Sequence, residues 1–138
     1  MQNDQISFPW EYEAVSGLGK IFRPYVPIYL NTKEAGWKRF DFIVDSGADI
    51  TMLPKSMLDI LGIDKKKITK GEATGIGGFT TKTWQTKIPI KIGEWELEIL
   101  ATFTSENLTP LLLGRVDTLD SQFSWNFDHK KKEILFTK

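Results

Sequence analysis

Along much of this chain, apolar positions recur at every second residue. Over residues 37–44, Phe40, Phe42 and Val44 alternate with Arg39, Asp41 and Ile43, which predicts a strand running directly into Asp45. Ile88, Ile90 and Ile92 alternate with Pro89 and Lys91. After a tight turn at Gly93-Glu94, Trp95, Leu97 and Ile99 face one way while Glu96 and Glu98 face the other. Residues 20–30 are rich in aromatic and β-branched side chains, with Pro24 and Pro27 marking an edge or broken strand, and 31–36 read as a turn. Residues 51–53 are a short extended piece. Pro54 suits the first position of a helix, where its missing donor costs nothing, and the helix predicted over 55–61 closes at Gly62. Two strands, 68–74 and 80–92, flank a glycine-rich tip. Leu111-Leu112-Leu113 is a buried strand, followed by Gly114 and a short helix over 116–121; residues 123–127 and 133–136 form a last hairpin. Residues 1–19 read as an irregular leader hinged at Ser16-Gly17-Leu18-Gly19, ahead of one domain over 20–138. Short, numerous strands with one or two short helices predict a mainly β fold, a small closed β-barrel with a projecting flap hairpin.

Composition narrows the chemistry. At 138 residues, 41% hydrophobic and 12% aromatic, the chain has the size and apolar content of one folded domain. Its 18 basic and 18 acidic side chains balance, with no basic excess to point to nucleic acid or an anionic membrane surface as a partner. The short runs Lys65-Lys66-Lys67 and Lys130-Lys131-Lys132 fall where turns are predicted and read as solvated. No apolar run reaches the length of a membrane span, and the first five residues lack a signal-peptide pattern, so the expectation is a cytoplasmic protein. The absence of cysteine excludes disulfides, thiolate metal sites and cysteine nucleophiles. The single histidine, His129, sits in a polar turn-like segment and reads as exposed; a histidine-based zinc site normally needs more than one. No metal or cofactor is expected. Acid–base chemistry would fall to carboxylates, lysine or tyrosine.

Three segments carry candidate chemistry. In Phe42-Ile43-Val44-Asp45-Ser46-Gly47-Ala48-Asp49, an apolar strand delivers a carboxylate into a Ser-Gly turn. Alone, Asp-Ser-Gly describes an ordinary turn as well as a site. In Thr74-Gly75-Ile76-Gly77-Gly78-Phe79-Thr80, three glycines surround one isoleucine at a hairpin tip whose backbone amides can approach a ligand. A strand rather than a helix follows, and the spacing is not that of a dinucleotide-binding loop. The third, Leu111-Leu112-Leu113-Gly114-Arg115-Val116-Asp117, is a core strand capped by glycine.

Together, and in this order, the three segments resemble the retropepsin-like aspartic proteases. Asp45-Ser46-Gly47-Ala48-Asp49 is similar to the family's active-site turn, Gly75-Ile76-Gly77-Gly78-Phe79 to its flap tip, and Leu112-Leu113-Gly114-Arg115 to its apolar-apolar-Gly-Arg motif. The resemblance spans roughly residues 20–121. It implies the acid protease type of β-barrel, Asp45 as catalytic carboxylate, and Ser46 bonding across a dimer to hold two active-site turns together. It also implies Ala48 and Asp49 lining the substrate cleft, Asp49 pairing with Arg115, and Gly75, Ile76, Gly77 and Gly78 closing over a polypeptide substrate. Leu113, Gly114 and Arg115 would be structural. The tail, 122–138, departs from the retroviral pattern and resembles the closing hairpin of bacterial and archaeal relatives.

Hydrolysis by carboxylates needs two of them sharing a proton. Asp117-Thr118 is the nearest imitation of a second motif, but Leu119 stands where glycine is required, and no other Asp-Ser/Thr-Gly occurs. The second aspartate must come from a second copy across a twofold axis, so the expectation is a homodimeric aspartic endopeptidase. The alternatives are a catalytically inactive module of the same fold that dimerises or binds peptides, and a lone barrel that binds a ligand with its glycine-tipped hairpin.

Overall fold

In the computed structural model, residues 4–75 and 77–138 are described. Twelve strands and one short helix follow the order β1 (Gln5–Pro9), β2 (Glu11–Val15), β3 (Gly19–Arg23), β4 (Tyr25–Thr32), β5 (Gly36–Val44), β6 (Thr51–Pro54), α1 (Ser56–Leu61), β7 (Thr69–Thr74), β8 (Thr80–Ile92), β9 (Trp95–Thr104), β10 (Leu112–Leu113), β11 (Ser124–Asp128) and β12 (Glu133–Thr137). The main sheet has seven strands in the order β4-β5-β10-β6-β9-β8-β7. Tyr29 and Leu30 of β4 also pair with Lys91 and Ile90 of β8, so the pairings run round in a ring from which β7 projects.

Alternation sets the two faces of each strand. In β5, Phe42 and Val44 are buried and Asp41 exposed. The first half of β9 buries Trp95, Leu97 and Ile99 and exposes Glu96 and Glu98, but its second half, Ala101 to Thr104, is buried at every position. That change follows from its neighbours: Ala101 to Thr104 pair in parallel with Thr51 to Pro54 of β6 and are flanked on the other edge by β8. The core gathers Val26, Ile28, Leu30, Phe42, Leu53, Ile90, Ile92, Ile99, Phe103 and Leu113, all at most 1% exposed.

Several expectations shift by a residue or more. Pro54 does not open the helix; it ends β6 opposite Thr104, and α1 begins at Ser56. Gly62 closes α1 in the left-handed conformation, φ 70°, its N–H donating to the Asp59 carbonyl. The helix expected over 116–121 is a wide turn over Arg115–Leu119, broken by an extended Val116 and a left-handed Asp117. Asp117 holds that conformation because its Oδ2 accepts the Leu100 N–H at 2.8 Å, a bond that ties the turn to β9.

From residue 4 on, the segment expected to be an irregular leader is not irregular. β1 pairs along its length with β12, and β12 with β11, in a separate three-stranded sheet; β2 and β3 form a hairpin. Ile6, Phe8, Trp10 and Tyr12 recur at every second position, and aromatic contacts hold these strands in place. Trp10 stacks on Phe22 with ring centroids 3.9 Å apart, Phe8 meets Phe136 edge-on, and Phe123 bridges Phe136 to the fully buried Trp95. Leader and tail are thus packed on each other and, through Trp95, on the main sheet.

Among the glycines, the one most tightly enclosed is Gly114, just after β10. A Cβ built there would lie 2.3 Å from both the carbonyl carbon and the oxygen of Ile50, backbone atoms that cannot step aside. Gly114→Ala should therefore lower unfolding stability by about 3 kcal/mol or more, read as a drop in the denaturant midpoint.

Candidate active site

β5 ends at Val44, and the next residue, Asp45, sits where that strand, β10 and the turn after it converge. The Asp45 N–H donates to the Leu113 carbonyl at 3.0 Å, extending the parallel pairing of β5 with β10 by one bond. Beyond it the chain folds back at once. The Ala48 N–H donates to the Asp45 carbonyl at 3.1 Å, and the Gly47 N–H to Asp45 Oδ1 at 2.9 Å. Gly47 is needed for closeness: a Cβ there would come within 3.2 Å of Asp45 Oδ1, against the carboxylate its N–H now serves. The result is a half-buried Asp45 with one oxygen oriented by the turn, flanked by exposed Ser46 and Gly47. Among the described residues, the Ser46 hydroxyl has no hydrogen-bond partner within the chain.

A second layer clamps the turn from below. The Arg115 N–H donates to the Ala48 carbonyl at 3.0 Å and the Val116 N–H to the Asp49 carbonyl at 2.9 Å. The Arg115 guanidinium reaches Asp49 Oδ1 at 2.7 Å through one terminal nitrogen, while its Nε is buried without a partner. With Asp49 79% and Arg115 42% exposed, this single-pronged pair contributes at most about 1 kcal/mol. The backbone bonds, each worth about 1 kcal/mol net, do more to hold the turn.

Of the residues singled out from the sequence, Asp45, Ser46, Gly47, Ala48 and Asp49 are thus brought together with Leu113, Gly114 and Arg115. Gly75, Gly77 and Gly78 lie apart from them, at the tip of the β7–β8 hairpin. There the Gly75 N–H donates to the Phe79 carbonyl and the Gly78 N–H to the Gly75 carbonyl, with Gly77 and Gly78 at positive φ. Among the described residues, the tip shares no hydrogen bond with the Asp45 turn. Ile76 lies outside the described residues. Phe79 is 81% exposed, an aromatic ring on a hairpin tip.

Two residues of the site were not foreseen. Thr51 is fully buried and its Oγ1 accepts the Gly114 N–H at 3.1 Å; Thr118, also fully buried, donates its hydroxyl to the Gly114 carbonyl. Both polar groups of the Gly114 peptide are therefore met by threonine hydroxyls where no strand partner fits. Thr118 was legible only as part of the false motif Asp117-Thr118, and Thr51 only as a β-former. No group of three or more acidic, histidine or cysteine side chains placed to hold a metal occurs among the described residues. No helix among them is long and apolar enough to cross a membrane.

With this geometry in hand, comparison with known proteins is decisive at the level of family. The fold resembles that of a retropepsin-like aspartic protease from Rickettsia conorii, at 21% identity and a TM-score of 0.65, over 97% of this chain and 99% of that one. It also resembles EIAV protease, solved in complex with the inhibitor HBY-793, at 22% identity and a TM-score of 0.54, over 73% of this chain and 88% of that one. The bacterial likeness thus takes in nearly the whole chain, whereas the viral one leaves about a quarter unmatched. No curated protein sequence matches the chain. The sequence model of the gag-polyprotein putative aspartyl protease family matches residues 33–119, from the β4–β5 turn through the Asp45 turn and the β7–β8 hairpin to the end of the Arg115–Leu119 turn, and the chain belongs to that family.

Proposed function

We propose that this chain is an aspartic endopeptidase that works as a homodimer, with the two Asp45 carboxylates of the pair forming one catalytic site. The observation that carries this reading is the Asp45 turn itself. A carboxylate at the end of a core strand is fixed by the Gly47 N–H on one oxygen and by four backbone bonds around it, yet it is left open to solvent on the Ser46 side. The bond from a residue two places on does not itself set Asp45 apart, since Asp64 and Asp128 accept the Lys66 and Lys130 N–H groups in the same way; its place at the end of a core strand does. Asp117 spends its carboxylate on the Leu100 N–H, and Asp128 accepts from the Lys130 and Lys131 N–H groups, which hold its carboxyl below the usual carboxylate range, Lys131 foremost.

The chemistry follows from two such carboxylates in contact. Like charges that close cannot both ionise, so one acid keeps its proton. The ionised Asp45 takes a proton from a water lying between the two. That water's oxygen bonds to the peptide carbonyl carbon while the protonated Asp45 donates to the carbonyl oxygen, giving a neutral gem-diol. Protonation of the nitrogen and cleavage of the C–N bond then release an amine and a carboxylic acid. The free Ser46 hydroxyl is suited to bond the neighbouring turn across the twofold axis. The glycine tip and Phe79, carried on a hairpin that projects from the ring, are suited to close over a polypeptide laid across the two turns. Gly75, Ile76, Gly77 and Gly78 are assigned that covering role, and Ala48 and Asp49 the cleft wall. Within this reading, residues 20–138 are the protease domain and 1–19 a leader, of which β1 pairs with β12 of the tail.

Asp45→Asn should lower kcat/KM on peptides with apolar residues flanking the scissile bond by at least about a hundredfold, with folding and dimerisation intact. Undiminished cleavage would refute the assignment and favour a module that only binds. A mixing experiment tests the shared site independently. At constant total chain concentration, an equal mixture of wild type and Asp45→Asn, after subunit exchange, should keep about a quarter of the wild-type activity. Retention of about half would mean that each chain works alone.

A further inference from the structure

The lysines that read as solvated turns in the sequence do not stand alone in three dimensions. Lys65 and Lys66 form a single helical turn fixed at its start by Asp64, whose Oδ1 accepts the Lys66 N–H at 2.9 Å. That turn faces the root of the β7–β8 hairpin, where Lys70 pairs across with Trp84 and Glu72 with Lys82, so all four side chains share one face. Lys65, Lys66, Lys70, Glu72, Lys82 and Trp84 line a groove of about 740 Å³. From the start of α1, Lys55 Nζ comes within 5.6 Å of the Trp84 ring centre, and Lys65 Nζ lies at 5.5 Å.

Four ammonium groups, Lys65, Lys66, Lys70 and Lys82, therefore line the groove with one carboxylate, Glu72; Lys55 adds a fifth from beside it, and Asp64 sits at the start of the Lys65–Lys66 turn. None of the five forms an ion pair among the described residues; those pairs are Arg23–Glu13, Arg39–Asp41 and Arg115–Asp49. Trp84 is 6% exposed, and its ring N–H is buried without an acceptor. Its π face draws two of the ammoniums over the ring, which keeps them beside the groove rather than spread into solvent.

We propose that this groove binds an acidic segment of a polypeptide, through glutamate or aspartate carboxylates laid among Lys65, Lys66, Lys70 and Lys82. The chemistry disfavours nucleic acid. No arginine lines the groove to fork onto phosphate, and the one aromatic ring is too deeply buried to stack on a base. Surface lysines provide long-range attraction without rigid geometry, which suits an extended chain of carboxylates. The groove lies at the base of the hairpin whose tip carries Gly75 to Phe79. An acidic stretch bound there would be held on the same element that is assigned to cover substrate, adding a contact remote from the Asp45 turn.

The test is binding rather than cleavage, read on the Asp45→Asn protein, so that it stands apart from the catalytic assignment. A fluorescein-labelled polyglutamate peptide should bind saturably by anisotropy and weaken as salt rises. Lys70→Gln with Lys82→Gln should weaken it about tenfold, and Glu72→Gln should tighten it severalfold, a gain that mere loss of structure does not produce. Lys130→Gln with Lys131→Gln, in the distant β11–β12 turn, should leave it unchanged. The proposal is overturned by an absence of saturable binding or by equal weakening from the Lys130 and Lys131 pair. It is also overturned if Glu72→Gln has no effect, or if a single-stranded oligonucleotide displaces the peptide at lower concentration than unlabelled polyglutamate.

Discussion

The contact between Gly114 and the Ile50 backbone is the constraint on which the rest of this structure depends. It lets β10, only two residues long, lie between β5 and β6 and so complete the ring of pairings. A strand that short cannot satisfy its own ends. The Gly114 peptide is taken up by the hydroxyls of Thr51 and Thr118, and the next N–H groups, Arg115 and Val116, turn outward onto the carbonyls of Ala48 and Asp49. Because Asp45 donates to Leu113 on the near side, the Asp45 turn is held on two sides by one stretch of backbone. The magnitudes decide what matters. Four backbone bonds at about 1 kcal/mol each outweigh an exposed, single-pronged Asp49–Arg115 pair. Losing a partner of the fully buried hydroxyls would leave a polar group stranded, at a cost of about 1–3 kcal/mol.

The strands and the order of the site segments were legible where one physical signal dominates. Period-two burial located β5, β8 and the first half of β9, because each has one face in the core and one in water. The Gly62 cap of α1 and the Gly93 turn, at φ 70° and 56°, were readable because glycine adopts those angles far more readily than other residues. Failures came where tertiary contacts override local pattern. Residues 5–15 read as irregular although Ile6, Phe8, Trp10 and Tyr12 alternate with Gln5, Ser7, Pro9 and Glu11; what no local rule displays is their partners, β12 and the Trp10–Phe22 stack. The Arg115–Leu119 turn looked helical by composition, yet the Leu100 N–H captures Asp117 and forces it to φ 65°. Thr51 and Thr118 were invisible as site residues, since a threonine that satisfies a buried peptide has the same letter as one that merely favours a strand.

Stiffness is distributed unevenly along the chain, and the proposed mechanism uses both extremes. The Asp45 turn is built from several backbone hydrogen bonds against a core strand, which fixes a carboxylate before any partner or substrate arrives. The β7–β8 tip is built from glycines at positive φ and a ring that is left in solvent. Preorganisation is worth most where charge shifts during reaction, and adaptability where a polypeptide must be admitted and released.

Charge is distributed in the same divided way. Around Asp45 the chain presents carboxylates, Asp45 and Asp49, with one guanidinium already committed to Asp49. At the root of the β7–β8 hairpin it presents a cluster of ammoniums, two of them over Trp84 and, among the described residues, none in an ion pair. A net charge of zero conceals this separation, because summing over the chain discards position. At physiological ionic strength charges act over about 8 Å, so each region imposes its own field on what comes near it. A proton-sharing carboxylate pair gains nothing from lysines in contact, since a nearby cation favours the ionised form of both acids. Keeping the ammoniums at the hairpin root leaves them free to attract an acidic chain without disturbing the protonation that hydrolysis at Asp45 would require.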